Sequence, residues 1–336
     1  MSFIGTLLRS SWATRFCDWL DRNYGVILMF HRINNLKSGG LKYNQHLKVP
    51  PEYFNEMILN FKKNGFTFLS LDNMLQQLDR CRPIERFAVI TFDDGYRDVL
   101  HNAIPILNAH QIPATVFIAT GFLDREFWPW WDVLEDLIVT FKKNLSQIQM
   151  EELFLTVRSE LLNLDYPQIK RRLQQLVPDI DITSLIVSCS EQFINYAELS
   201  KLAQEPLVTI GCHTHSHQSC GELNTATWKD IDKSLTILRD KYRLPVKHFA
   251  FPFGDFRCIP DKKQCQLLAD RGFKCALTTN PGVISRYDHQ SRYFLPRIFI
   301  NPWGETGTVL SKKYAHETRI AGLKRRFLEM RKWNTK

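Results

Sequence analysis

Two clusters of residues able to bind a metal each follow a short apolar run. Asp93 and Asp94 end the run in "AVITFDDG", and His213 and His217 stand four residues apart in "VTIGCHTHSH". Two adjacent carboxylates raise each other's pKa unless a positive charge separates their roles. Two imidazoles and one carboxylate form a three-ligand site with open positions, the kind that a catalytic metal occupies. The two clusters together therefore predict a catalytic metal site.

Each cluster alone has an ordinary structural interpretation. An Asp-Asp-Gly run is typical of a turn or a helix cap, and two histidines four residues apart are a weak signal. Cys212 and Cys220 flank the histidines, so a closed zinc site without a catalytic role is a further alternative. The combination favours catalysis, because both clusters end candidate strands and parallel strands present their carboxyl ends to one common face.

The elements that would position these residues alternate along the chain. Short apolar runs and helical patterns follow one another, as in βα units around a parallel sheet. The candidate strands are 26–31, 66–70, 87–92, 114–119, 207–212, 247–252, 274–279 and 297–300. The candidate helices are 51–64, 72–79, 96–110, 196–204, 225–242 and 261–271. From 124 to 195 the strand rhythm lapses and helical periodicity predicts an α-helical insertion, which in a βα loop often lies over the site.

The composition is that of a folded protein kept in a reducing compartment. Of 336 residues, 44% are apolar and 12% aromatic, which is enough for one large α/β domain or two smaller ones. The N-terminus lacks the continuous apolar region of a secretory signal, and no apolar run approaches the roughly 20 residues of a membrane span. The eight cysteines include no CxxC pair. We therefore expect reduced thiols and a cytoplasmic protein.

The net charge of +9 is concentrated at the C-terminus. Residues 311–336 hold nine Lys or Arg against two Glu, and Ile320, Leu323, Phe327 and Met330 fall on one helical face. Such a helix could lie on an anionic membrane surface, at the inner face of the membrane, or pack on the domain with its charges in solvent. The body is nearly neutral and carries no nucleic-acid-binding motif, so we expect no nucleic-acid partner.

Four segments together resemble a known enzyme family. "TFDDG" and "HTHSH" are similar to the first two motifs of the NodB-type polysaccharide deacetylases, carbohydrate esterase family 4. "KHFAFPFG" (247–254) resembles the third motif, and "FLPRI" (294–298) resembles a strand near the end of many relatives. The resemblance implies an α/β fold, a distorted (β/α) barrel of six to eight parallel strands with an α-helical insertion.

This resemblance also suggests a division of the chain. An N-terminal amphipathic helix (1–24) would precede the NodB-like deacetylase domain (25–310). Within that domain the helical insertion would occupy 124–195, and the basic C-terminal helix or tail would follow at 311–336.

Family roles transfer to the matching positions of this sequence. Asp94, His213 and His217 would bind a divalent metal, best fitted by Zn²⁺, and Asp93 would be the general base. The resemblance implies hydrolysis of an N-acetyl amide by a water that Asp93 deprotonates. The backbone amide of Phe253, the residue after the proline of the third motif, would stabilise the oxyanion.

The chain departs from the family pattern in the acid and its neighbours. After residue 300 there is no L-x-H segment to supply a histidine acid. However, "VILMFHRI" places His31 at the end of the first candidate strand, where it resembles the "YHxV" segment of circularly permuted deacetylases. We assign His31 as the general acid, with a histidine hydrogen-bonded at a strand end as the alternative. Ala250 replaces the arginine that opens the third motif in many members, and Arg297 could reach the base instead.

Aromatic residues gather where the predicted insertion begins. Trp130 and Trp131 lie in "FWPWWDVLEDL", where indole faces could stack on sugar rings and Asp132 could bind a sugar hydroxyl. Plain packing of the insertion, with Asp132 as a helix cap, is the alternative interpretation.

The sequence thus predicts a metal-dependent hydrolase that removes an N-acetyl group from a sugar or polysaccharide. Its partner would be an N-acylated carbohydrate. Two other functions stay open. One is a deformylase or deacetylase of a lipid-linked sugar at the cytoplasmic membrane face, and the other is a carbohydrate-binding relative without activity.

Overall fold

The computed structural model describes residues 25–35, 40–80, 86–254, 258–284, 291–300 and 302. The predicted N-terminal helix (1–24) and basic tail (311–336) lie outside the described residues. Within the described part of the chain, no helix is both long enough and apolar enough to cross a membrane.

A curled, parallel eight-stranded sheet forms the centre of the fold, as the sequence predicts. The strands of the described residues are β1 (Gly25–Phe30), β2 (Arg32–Ile33), β3 (Lys48–Val49), β4 (Thr67–Phe68), β5 (Phe87–Phe92), β6 (Ala114–Ile118), β7 (Val208–Cys212), β8 (His248–Ala250), β9 (Cys275–Leu277) and β10 (Ile298–Phe299). The order in the large sheet is β10-β1-β5-β6-β7-β8-β9, with β4 paired to the start of β5. All eight candidate strands are present. The small β2-β3 sheet was not among the sequence predictions.

Helices cover the sheet and fill the interval in which the strand rhythm lapses. The α-helices are α1 (Lys42–Gln45), α2 (Pro51–Lys63), α3 (Leu71–Asp79), α4 (Ile104–His110), α5 (Trp130–Phe141), α6 (Gln147–Leu161), α7 (Tyr166–Leu176), α8 (Thr183–Ser190), α9 (Tyr196–Gln204), α10 (Thr225–Leu235) and α11 (Lys262–Gln266). Helices α5 to α8 lie between β6 and β7, where the sequence predicts the insertion. One face of the curled sheet packs against helices, and on the other face side chains of several strands, such as Ile27, Val89 and Phe117, pack on one another. β1 and β5 are therefore buried at every residue and read as continuous apolar runs.

Three of the predicted helices are each interrupted, so that one part is an α-helix and the other is a π-helix or a 3₁₀ helix. The 96–110 pattern becomes a π-helical segment at Val99–Ala103 followed by α4. The 225–242 pattern becomes α10 followed by a second π-helical segment, Thr236–Lys241, and the 261–271 pattern ends as a 3₁₀ helix, Leu267–Arg271. Periodicity near 3.6 does not separate these windings, because each segment is only five or six residues long, little more than one turn.

Strand register brings the candidate site residues to one edge. β1 and β5 pair in parallel with Phe30 opposite Phe92, and the amide of Asp93 donates to the Phe30 carbonyl at 2.9 Å. His31 and Asp93, the residues that follow these strands, therefore lie side by side at the carboxyl edge of the sheet.

Candidate active site

The adjacent carboxylates Asp93 and Asp94 face different partners. Asp94 has φ of 75° and Gly95 has φ of 93°, so the chain turns through two left-handed residues immediately after β5. Asp tolerates this conformation better than most residues, and glycine adopts it freely. The turn sends Asp93 to an arginine and Asp94 to two histidines. Their charges are thus compensated separately.

Asp94, His213 and His217 converge on one point. One ligand atom from each lies within 4.8 Å of the other two, and all three side chains are buried. Nε2 of His213 is 3.3 Å from Oδ1 of Asp94, and Nε2 of His217 is 3.1 Å from the same oxygen. This is the arrangement of two imidazoles and one carboxylate that leaves positions open for substrate.

Hydrogen bonding around this triad fits a divalent cation. Nδ1 of His213 lies 2.7 Å from the carbonyl oxygen of Ala250, so this nitrogen must donate and the neutral ring presents a lone pair at Nε2. That lone pair faces Oδ1 of Asp94, which is buried and accepts no hydrogen bond. Acceptors this close repel one another unless a metal cation or a shared proton lies between them. The residues present therefore fit a metal by their own chemistry.

Charges in the triad also favour the ligand form of the carboxylate. Burial alone would raise the pKa of Asp94, but His217 and His213 hold it well below its usual value. Burial lowers the pKa of His217, and the nearby Asp94 carboxylate opposes that effect. A deprotonated carboxylate and neutral imidazoles are the forms that bind metals.

The loop that carries both histidines is held from two sides. Thr214 and His217 have φ of 65° and 57°, a conformation that costs energy in these residue types. Oγ1 of Thr214 accepts from the His217 amide at 3.1 Å. The carboxylate of Asp230 in α10 accepts from the amides of His215 and Ser216, each at 3.1 Å. These bonds fix the strained backbone that aims the ligands.

His215, between the ligands in sequence, is directed away from the triad. Its Nδ1 is 2.9 Å from Oγ1 of Thr120, and its Nε2 is 3.0 Å from Oε2 of Glu126. Both ring nitrogens are therefore engaged elsewhere.

Arg297 binds Asp93 through two parallel hydrogen bonds. Nη1 and Nη2 donate to the two carboxylate oxygens at 2.7 and 2.6 Å, and Nε donates to the carbonyl of Thr278 at 2.9 Å. Burial alone would raise the pKa of Asp93, but the adjacent guanidinium holds it below its usual value. Asp93 is thus ionised and oriented, as a general base must be before it accepts a proton.

His31 lies beside both carboxylates at the end of β1. Burial lowers the pKa of its imidazole, and the negative charges of Asp94 and Asp93 oppose that effect. Its Nδ1 is buried and has no hydrogen-bond partner among the described residues. The ring therefore has an unused polar atom next to the reacting groups.

Three aromatic rings enclose His217. Trp131, Phe253 and Phe122 have ring centroids 4.7, 4.8 and 5.7 Å from that of the histidine. Phe253 has φ of 58°, and its amide makes no hydrogen bond within the described part of the chain. The third-motif loop therefore contacts the site.

The tryptophans of the insertion are buried in the protein. Trp130 and Trp131 are 2% and 5% exposed. Nε1 of Trp131 donates to the hydroxyl of Tyr96 at 3.0 Å, and that hydroxyl donates to Oδ2 of Asp132 at 2.9 Å. Burial raises the pKa of Asp132 to about 6. Asp132 thus has a partner within the protein, and Trp131 forms a wall of the site through its contact with His217.

The cysteines near the triad have other partners. Sγ of Cys212 donates to Oγ of Ser234 at 3.4 Å, and Sγ of Cys220 faces the carbonyl of Gln218 at 3.8 Å. Among the described residues, the group of three or more ligand-type side chains with metal-binding geometry is Asp94, His213 and His217.

Two supporting residues were missed by sequence reasoning. Asp230 lies 13 positions after His217 in a helix whose other charges face solvent, so no local pattern marks it. Tyr96 follows the Asp-Asp-Gly turn, and its burial beside Asp132 and Trp131 depends on the insertion. The only sequence signal for Tyr96 was its position as an aromatic residue directly after the Asp-Asp-Gly turn.

Comparison with known proteins identifies the family of this chain. A family model described as polysaccharide deacetylase matches residues 81–276. The chain is similar to a poly-beta-1,6-N-acetyl-D-glucosamine N-deacetylase of Staphylococcus aureus, with 22% identity over 289 residues, 83% of this chain and 79% of the relative. A putative polysaccharide deacetylase, YxkH of Bacillus subtilis, is 32% identical over 93 residues, 27% of this chain and 30% of the relative.

Solved structures show the same fold. The Streptococcus pyogenes deacetylase PplD in complex with acetate has a TM-score of 0.55 at 18% identity, covering 83% of this chain and 93% of that one. IcaB from Ammonifex degensii has a TM-score of 0.55 at 16% identity, with the same two coverages.

Proposed function

Because the chain belongs to the polysaccharide deacetylase family, it is a hydrolase of a non-peptide carbon–nitrogen bond, and we propose how its own residues divide that reaction. Asp94, His213 and His217 hold a divalent cation, Asp93 is the general base and His31 is the general acid. The observation that carries this proposal is the convergence of three ligand atoms beside a carboxylate that is separately paired to Arg297.

The metal is proposed to be zinc, because two imidazoles and one carboxylate suit it. When bound, a divalent cation supplies a Lewis acid that polarises the acyl carbonyl and lowers the pKa of water to about 7. The hydrogen bond from Nδ1 of His213 to the carbonyl of Ala250 fixes the ring, so that Nε2 would be the atom that holds the cation.

Asp93 removes the proton from the attacking water. Arg297 orients its carboxylate through two hydrogen bonds and keeps it ionised. The low pKa makes Asp93 a weak base, so this step depends on a water of lowered pKa. The Phe253 amide, free of other acceptors among the described residues, is the proposed donor to the oxyanion.

His31 donates the proton that the departing amine requires. Its place beside Asp93 and Asp94 at the end of β1 supports this role. An acid on the first strand is the arrangement of circularly permuted deacetylases, and we propose that this chain is of that type.

The proposed substrate is an N-acetylated glucosamine polymer. Support comes from the Staphylococcus aureus relative, whose name specifies poly-beta-1,6-N-acetyl-D-glucosamine and to which 83% of this chain aligns. At 22% identity the linkage is part of the proposal to be tested.

Acetate release by the purified protein is the direct test. Wild type and Asp93→Asn are loaded with zinc and assayed on N-acetylglucosamine oligosaccharides in β-1,6 and β-1,4 linkage. Asp93→Asn should lose about 10³-fold in kcat, since general base catalysis contributes 10² to 10⁴, and should retain about one zinc per chain.

The matched control is Asp240→Asn, an exposed carboxylate to amide change on the second π-helical segment. It should leave acetate release as in wild type. If Asp93→Asn is as active as wild type, the hydrolytic mechanism is wrong. If zinc-loaded wild type binds the oligosaccharides without releasing acetate, the chain is a carbohydrate-binding relative.

The basic tail (311–336) is proposed to contact anionic membranes, on the strength of its amphipathic charge pattern. Sedimentation with anionic vesicles, with and without these residues, tests the contact. If removal of the tail does not change the fraction of protein that sediments with the vesicles, the proposed membrane contact is wrong.

A further inference from the structure

The proposed roles fix which part of the surface meets the sugar. His31 protonates the departing amine, and that nitrogen is bonded directly to a sugar ring. The ring that carries the acetyl group must therefore lie next to His31, and neighbouring sugars of a polymer must cross the surface beyond it. The inference that follows rests on the proposed function in this respect.

A row of aromatic side chains begins at His31. Phe299 has its ring centroid 6.0 Å from that of His31, His46 follows 5.1 Å from Phe299, and Tyr43 follows 5.4 Å from His46. We call Phe299, His46 and Tyr43 the aromatic strip. Each of its members is only partly buried, in contrast to the fully buried core around them.

Two features of the fold hold the strip in place. β10 pairs with β1 so that Phe299 stands opposite Met29, which brings its ring to the carboxyl edge of the sheet. On the other side, the amide of Leu41 donates to Oε1 of Glu135 at 2.7 Å, and Nδ2 of Asn44 donates to the carbonyl of Trp131 at 3.1 Å. These bonds fix α1, which carries Tyr43, against the helix α5.

The far end of the strip reaches a second helix of the insertion. Tyr43 packs on Phe154 with ring centroids 5.6 Å apart, and the guanidinium of Arg158 lies 5.2 Å from the tyrosine ring centroid. A surface with aromatic rings and a few polar groups is typical of small-molecule and carbohydrate sites.

The buried tryptophans offer no comparable surface. Trp130 and Trp131 are 2% and 5% exposed, so their faces are covered by protein. The strip, by contrast, combines partial exposure with direct continuity to the proposed acid. Burial lowers the pKa of His46 to about 4, so its ring is neutral at neutral pH and able to hydrogen-bond a hydroxyl without repelling a cationic amine.

We infer that Phe299, His46 and Tyr43 form a carbohydrate-binding strip for the sugar residues next to the one that is deacetylated. The aromatic rings stack on the apolar faces of these sugars, and His46 binds a hydroxyl group. The enzyme therefore prefers an oligomer or polymer to a short substrate.

Chain-length preference tests this inference. Phe299→Leu and Tyr43→Leu keep most of the packing volume and remove the flat ring. We measure kcat/KM on N-acetylglucosamine oligomers of two and of five sugars, in the linkage that wild type accepts. Each substitution should lower the value for the pentamer about tenfold, a typical loss for an anchoring aromatic, and lower the pentamer-to-dimer ratio.

Tyr196→Leu is the matched control. Tyr196 is another half-buried tyrosine, stacked on Tyr242 at 5.2 Å in a different part of the surface. Its substitution should leave the pentamer-to-dimer ratio at the wild-type value. If Phe299→Leu and Tyr43→Leu lower kcat/KM equally for both lengths, the strip supports the fold and binds no sugar.

A binding measurement separates this inference from the proposed function. The pentamer is titrated by calorimetry into zinc-loaded Asp93→Asn, with and without Phe299→Leu. About tenfold weaker binding in the double variant supports the strip even if no acetate is released by wild type. Equal affinity overturns it, whatever the outcome of the activity assay.

Discussion

Two clusters of residue types that can bind metals lie at opposite ends of the parallel strands. The carboxyl-end cluster is Asp94, His213 and His217. The amino-end cluster is Asp72, His248 and Cys275, built on α3 and on the first residues of β8 and β9. His213, His217 and His248 are all buried.

Only the carboxyl-end cluster converges. In the amino-end cluster, Nδ1 of His248 faces Sγ of Cys275 at 3.2 Å, whereas Nε2 points the other way, 3.6 Å from Oδ1 of Asp72. Asp72 also meets Nζ of Lys274 at 3.1 Å. One ring thus bridges two partners and leaves no common point for a cation. The difference teaches that a metal site requires lone pairs aimed at one point, and not merely histidine beside a carboxylate.

The largest expected difference between the two clusters is the effect of replacing a histidine in each on zinc content and kcat. His213→Gln should lose the bound zinc and with it at least about 10³-fold in kcat, because the Lewis acid supplies several kcal/mol to the transition state. His248→Gln should retain about one zinc per chain and near wild-type activity. The zinc content and the rate of acetate release are measured for both variants. Equal zinc loss in both would contradict the assignment of the metal site to the carboxyl-end cluster.

Arg297 should be the largest single contributor to stability at the carboxyl edge. Arg297→Met leaves Asp93 buried without its partner, which should lower the free energy of unfolding by about 3 to 5 kcal/mol. The double variant Arg297→Met/Asp93→Asn should recover part of that loss, since no buried charge remains. Urea unfolding measures both, and strictly additive losses would contradict the pairing.

The effect of replacing His31 on kcat should depend on the leaving group of the substrate. His31→Gln should lower kcat on N-acetyl amides about 100-fold, with zinc content unchanged, because the amine leaves only when protonated. An activated acetate ester such as 4-nitrophenyl acetate needs no such proton, so its hydrolysis should change much less. A loss of the same size on both substrates would remove His31 from the acid role.

Asp230 should raise the affinity for zinc, because it holds the loop that carries His213 and His217. Asp230→Asn weakens the acceptor of the His215 and Ser216 amides and should reduce zinc affinity about tenfold, as outer-shell changes do. Competition with a chelator measures the affinity. The control is Asp232→Asn on the same helix, where the carboxylate pairs with Arg271 on the surface. If both variants reduce zinc affinity equally, Asp230 affects the metal only by stabilising the helix and not through its bonds to the loop.

The smallest effect is expected at the amino-end cluster, where it should depend on pH. His248 and Lys274 hold the pKa of Asp72 below its ordinary value, which opposes the effect of burial. A depressed carboxyl pKa stabilises the fold above the unfolded pKa near 4, and this contribution is lost as pH falls through the folded value.

Asp72→Asn should therefore cost about 1 kcal/mol or less at pH near 7, since the side chain is partly exposed, and its difference from wild type should shrink below about pH 4. Urea unfolding at both pH values measures the difference, with the zinc content of variant and wild type compared at each pH. A difference that grows on acidification would show that Asp72 is not stabilised by these partners.

The fold was largely predictable because its signals are local. All eight strands of the large sheet were predicted from continuous apolar runs such as Gly25–Phe30, and helices such as Pro51–Lys63 from their periodicity. The π-helical segments and the β2-β3 pair were not predicted. Their geometry depends on contacts between segments rather than on the order of apolar residues.

The sequence by itself determined the residue types of the site and the edge on which they meet. Strands that run parallel place the residues after β1, β5 and β7 together, so His31, Asp93, Asp94 and the two ligand histidines share that edge whatever the details of packing. The motif order was sufficient for this.

The tertiary structure alone decided how each side chain is used. It gave the expected approach of Arg297 to Asp93 the form of two parallel hydrogen bonds across 204 positions of the chain. It also placed Asp230 under the ligand loop, and buried Trp130 and Trp131 instead of exposing them. A sequence pattern records spacing along the chain. Hydrogen-bond partners, burial and pKa values depend on atoms brought together by long-range packing, and no local pattern carries that information.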